Sequence, residues 1–100
     1  MSIPKTDQAA VRQTIRALRA FGYLLVSVDD GEELLSTTTE KQALEAIMAV
    51  DEATLWVTSP GSLHFAFVRF VLGNDPEEVI CDYSVKLEDA LESVLDEWSA

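Results

Sequence analysis

Basic residues are scarce in this 100-residue chain: seven Lys and Arg stand against 18 Asp and Glu, for a net charge of −11. A molecule of that sign repels nucleic acid and anionic membrane, so direct binding to either is not expected. Cysteine is scarcer still. A single Cys81 excludes an intrachain disulfide and a cysteine-built zinc cage within one chain. With one histidine, the only ingredients for a thiol nucleophile are Cys81, Asp82 and His64. The four glycines form neither a P-loop nor a Gly-x-Gly-x-x-Gly fingerprint. No run approaches the roughly 18 apolar residues that a membrane span needs. Met1–Lys5 lacks the apolar core of a secretory signal, so a soluble, cytoplasmic protein is expected.

What is present is a dense aliphatic content. Hydrophobic residues make up 48% of the chain, enough to build a core and to argue against disorder despite the charge. The length fits one domain, residues 1–100. The charge is uneven: Lys5, Arg12, Arg16 and Arg19 against Asp7 give residues 1–21 a net +3. Residues 22–100 hold the other seventeen carboxylates against Lys41, Arg69 and Lys86, a net −14.

Periodicity sets the expected elements. Thr6 as N-cap, Asp7 in the first turn, Val11, Ile15 and Leu18 at helical spacing and Gly22 as terminator predict a helix over about 6–21. Ala10, Ala17 and Phe21 widen its apolar stripe. Tyr23–Val28 reads as a strand with Leu24, Val26 and Val28 on one face and Tyr23, Leu25 and Ser27 on the other. Asp29-Asp30-Gly31 is a turn signal, and Glu32–Ser36 forms a short return strand. Overlapping capping boxes, Thr37 with Glu40 and Thr39 with Gln42, start a second helix that ends near Val50. Thr54–Thr58 and Leu63–Leu72 form a hairpin around Ser59-Pro60-Gly61-Ser62. The longer strand is apolar on both faces, which predicts either a central strand covered on both sides or an outer face used for self-association. Asp75-Pro76-Glu77-Glu78 carries a helix-start signature, with a short turn through Val79, Ile80 and Cys81. The final helix shows Leu87, Ala90, Leu91, Val94, Leu95 and Trp98 on one stripe, with Leu91 and Leu95 expected in the core. The fold class is therefore α+β: a small, mainly antiparallel sheet of three to four strands with three helices packed on it, in the order α-β-(β)-α-β-β-α.

Three segments taken together, Ser27–Glu33, Thr38–Leu55 and Gly73–Ser84, resemble a group of small acidic uncharacterised proteins of bacterial prophages and other mobile elements. The resemblance covers about residues 23–98 and rests on turns and caps rather than catalytic signatures. It implies a context, an accessory protein acting on host or competing machinery, and carries no activity with it.

The residues that bear chemistry favour no enzyme. Cys81 sits between apolar Val79-Ile80 and acidic Asp82, a setting that disfavours a thiolate, and is expected to be buried and structural. Neither a cofactor nor a dedicated metal site is expected; Asp29, Asp30, Glu32 and Glu33 lack the ligand spacing of a calcium loop, and Asp75, Glu77 and Glu78 are explained by capping. Arg12, Arg16 and Arg19 at i, i+4 and i+7 form either an anion-binding stripe or a solvated face set against the protein's own acids. The expected function is a non-enzymatic interaction protein, of the inhibitor or nucleic-acid-mimic type, engaging a basic surface of another macromolecule. The candidate contacts are Asp29, Asp30, Glu32 and Glu33 at the turn and Glu88, Glu92, Asp96 and Glu97 on the last helix. Two alternatives are a small enzyme or ligand-binding domain with a pocket near His64 and Cys81, and a structural homodimer formed through the 63–72 strand.

Overall fold

The computed structural model describes residues 6–61, 64–73 and 79–98. Helix α1 covers Asp7–Ala20, strand β1 Leu24–Asp29, β2 Leu34–Ser36, α2 Glu40–Met48, β3 Glu52–Thr58, β4 Phe65–Val71, β5 Ile80–Tyr83 and α3 Glu88–Trp98. A 3-10 turn at Val85–Leu87 leads into α3. The strands form one antiparallel sheet in the order β2-β1-β3-β4-β5. The fold is α+β with three helices, as expected, and has five strands rather than three or four among the described residues.

Local chemistry explains the helix ends. The Thr6 hydroxyl accepts from Ala9 N at 3.1 Å, which satisfies one of the amides that α1 leaves without a helical partner. Gly22, at φ +104°, takes the left-handed conformation that ends this helix. Of the two overlapping boxes at α2, the second is used: Thr39 is the N-cap and accepts from Gln42 N at 3.2 Å, while the Gln42 carboxamide reaches back to Thr38 N. Thr37 is buried instead, and its hydroxyl has no protein partner.

Alternation places the core on one face. Ala53, Leu55 and Val57 of β3 and Ala66, Val68 and Phe70 of β4 are buried with Val11, Ile15 and Leu18 of α1, Ala43 and Ile47 of α2, and Leu91 and Val94 of α3. Helix α1 lies between α2 and α3 and packs on both, and α2 rests on β1 and β3. The other face of the sheet has no helix on it among the described residues. β4 is therefore central in the sheet yet covered on one side, which corrects the two-sided alternative.

Three further expectations change. The register of β1 against β3 slips between Leu25 and Ser27, so Val26 is a bulge residue, and Leu25, Ser27 and Val28 are buried rather than the Leu24-Val26-Val28 set. Ile80–Tyr83 is a strand, not a helical turn. It pairs with the outer edge of β4, and Val71 N to Val79 O (2.9 Å) and Ser84 N to Phe67 O (2.9 Å) extend that edge at both ends. The helix-start signature at 75–78 lies outside the described residues. Leu91 is fully buried as expected, whereas Leu95 is only half-buried. No helix among the described residues is long and apolar enough to cross a membrane.

Candidate functional site

The β1–β2 turn is ordered by its own carboxylates. Asp29 Oδ1 accepts from Gly31 N at 2.9 Å; Asp30 Oδ1 accepts from Glu32 N at 2.9 Å and Glu33 N at 2.8 Å. Those two amides hold the Asp30 carboxyl below its ordinary value of 3.8, the Glu33 bond contributing most. Gly31, at φ +95°, lets the chain reverse. Two of the four turn acids are thus committed to backbone amides, while Glu32 and Glu33 are exposed.

The second cluster occupies a groove. Along α3, Asp89, Glu92 and Asp96 recur at i, i+3 and i+7 and line a shallow, open groove of about 420 Å³ between α3 and α1. Its floor is Ala17, Ala20 and Ala90, and Phe21 closes one end. Glu88 stands on the neighbouring flank, where a second depression is lined by Glu88, Asp89, Glu92, Leu95 and Asp96. The side chain of Glu97 lies outside the described part of the structure. Phe21, expected in the core stripe, is 58% exposed here and stacks on Tyr23 with ring centroids 6.2 Å apart. Asp89 and the alanine floor are site residues that sequence reasoning left out; the i, i+3, i+7 spacing of the acids was the available signal. The turn cluster leads into the edge strand β2 and the α3 cluster follows the opposite edge strand β5, so the fold does not merge them through adjacent strands.

The arginine stripe divides. Arg16 Nε donates to Glu40 Oε1 at 2.7 Å, tying α1 to the first turn of α2. That contact sets at least this arginine against the protein's own acids, and none of the three lines the α1–α3 groove.

Cys81 is exposed, which corrects its expected burial. The cause is a second register slip: Arg69 pairs with Asp82 and Phe70 with Ile80, leaving Cys81 as the extra residue of an edge strand. His64 immediately precedes β4, about five residues of strand from the Cys81 bulge, or roughly 17 Å at the usual rise. The pocket proposed near both is therefore not formed by the two together. No family model matches the chain, and no curated protein or solved structure shows significant similarity to it.

Proposed function

We propose that the protein is a non-enzymatic interaction protein whose acidic surface, centred on the α1–α3 groove, engages a basic surface of another macromolecule. The observation that carries this reading is the groove itself. Asp89, Glu92 and Asp96 give a line of negative charge about 10 Å long at 1.5 Å rise per residue. The alanine floor beneath them accepts the aliphatic stems of Lys or Arg while the carboxylates meet the cationic heads. The C-terminal end of α1, which carries the negative pole of the helix, ends at the same groove. The β1–β2 turn, through Glu32 and Glu33, supplies a second acidic contact. Resemblance to acidic proteins of mobile elements adds an accessory context, with host or competitor machinery as the source of the basic partner.

Affinity capture at low salt with mass spectrometry identifies that partner, and surface plasmon resonance across salt tests the reading. Neutralising Asp89, Glu92 and Asp96 to Asn/Gln/Asn slows association and flattens its salt dependence, as expected when opposite charges steer encounter. Neutralising the turn acids does so to a smaller degree. If replacing Arg12, Arg16 and Arg19 by Gln abolishes binding while both acidic variants bind normally, the basic stripe is the site and the reading is wrong.

A further inference from the structure

The sheet face turned away from the helices segregates its charge from its exposed aromatics. Of seven basic and 18 acidic residues, its strand positions hold four, Asp29, Glu52, Arg69 and Asp82. All four lie towards one end, and Arg69 is already paired with Glu52. The other end is apolar. Leu24 (53% exposed) and Phe65 (59%) stand there, and Leu34 (65%), paired with Asp29, flanks the charged row; all three are among the five most exposed large apolar side chains of the described residues. Beside them Trp56 and Phe67 are in ring contact at 5.7 Å, and a cleft of about 400 Å³ opens between Val26, Ser27, Leu34, Trp56 and Phe65. Depletion of charge around exposed aromatics is the composition of an interface centre rather than of a solvated face.

The register makes this face complementary to itself. Across the sheet, Asp29, Thr54 and Arg69 share one row, and Leu24, Thr58 and Phe65 share another, with β3 in the middle of both. Stack two copies with aligned strands about a two-fold axis running along β3, and β1 of one lies over β4 of the other. Leu24 then meets Phe65 of the second copy, Asp29 meets Arg69, and Trp56 meets its own equivalent. Leu24 and Phe65 find apolar partners and Asp29 finds unlike charge, while Leu34 faces Asp82 at the rim and Glu52, held by Arg69 within its own copy, faces its equivalent.

We propose that this face is the contact surface of a homodimer of that arrangement, a sandwich of two sheets. At about 4.8 Å between strands and 3.4 Å per residue, the strand residues project onto roughly 440 Å² per copy. Two faces give about 880 Å², just below the about 1,000 Å² of a stable specific interface, which places the dimer at the weak, concentration-dependent end. The net charge of −11 per copy does not forbid it. Sheets stack about 10 Å apart, which sets the outer helices of two copies roughly 30 Å apart, several Debye lengths at about 8 Å in physiological salt. A basic partner is the poorer occupant, because the acids of this face lie towards one end, away from its exposed aromatics.

Sedimentation velocity of the full chain from about 2 to 200 μM tests the proposal, the range being set by the small contact area. The expected result is a monomer–dimer equilibrium that strengthens, or holds, when salt is raised, since salt screens the remaining repulsion. Phe65→Glu and, separately, Leu24→Glu shift the midpoint at least about tenfold towards monomer. Phe21→Glu, equally exposed but off the sheet, leaves it unchanged. Circular dichroism confirms that each variant is folded; if one is not, amide shifts of the unaltered protein on dilution are read instead, and concentrate in β1, β3 and β4. A chain that stays monomeric throughout overturns the proposal. So does a dimer that both sheet variants leave intact, or one whose dilution shifts fall on α1 and α3.

Discussion

Asp30 makes two backbone hydrogen bonds within the β1–β2 turn, and its folded-state carboxyl is more acidic than in the unfolded chain. The sign of the linkage follows. Its contribution is fully present above the ordinary aspartate value of 3.8 and is lost as pH falls through the lowered folded value. Asp30→Asn therefore has an acid limb of stability shallower than that of the unaltered protein, in denaturant melts taken from neutral pH down to about pH 2. Parallel limbs would contradict the assignment. Thr37 is the opposite case, a buried hydroxyl with no protein partner. Thr37→Val, close in shape, is expected to gain about 1 kcal/mol, because the desolvation cost of the hydroxyl disappears. A loss of similar size would show the hydroxyl to be bonded. Cys81, exposed at its bulge, is expected to react stoichiometrically with a thiol reagent in the native state, and Cys81→Ser to change stability by no more than about 0.5 kcal/mol. Labelling limited by global unfolding would restore the buried reading.

At the scale of elements, α3 is held by Leu91 and Val94 in the common core, with Leu87 anchoring the 3-10 turn before it. Leu91→Ala is expected to cost about 2–5 kcal/mol, the loss of a fully buried leucine plus the cavity left behind; a loss under about 1 kcal/mol would show the helix to be loosely docked. All three helices were legible in the sequence because their signals are local: Thr6, Thr39 and Gly22 act within a few residues of themselves. β5 was not. Ile80–Tyr83 has four residues and no alternation, and what makes it a strand is the open edge of β4, which a reading confined to neighbours cannot see. The same holds for the bulges at Val26 and Cys81, where one extra residue reverses which side chains reach the core. For the site, the acids of α3 were legible as a polar face. Which of them line a groove depends on where α1 lies, so Asp89 emerged only from the packing.

The whole molecule has two unlike sides. The helical layer carries the acid-lined groove and the sheet presents an apolar face, with Glu52–Arg69 and Asp82 gathered at one end. On the two proposals made above, this segregation would let a chain of net charge −11 attract a cationic partner on one side and associate through the other. The most direct test of the groove uses a defined probe, an amidated peptide of about 12 residues built from Lys-Ala-Ala repeats and titrated into the isotope-labelled protein at low salt. The account predicts that the largest amide shifts fall on Ala17–Phe21 and Asp89–Asp96, fade as salt is added, and vanish in the Asp89→Asn/Glu92→Gln/Asp96→Asn variant. Shifts that centre on the arginine flank of α1 or spread evenly over the surface, and that survive in that variant, would contradict it.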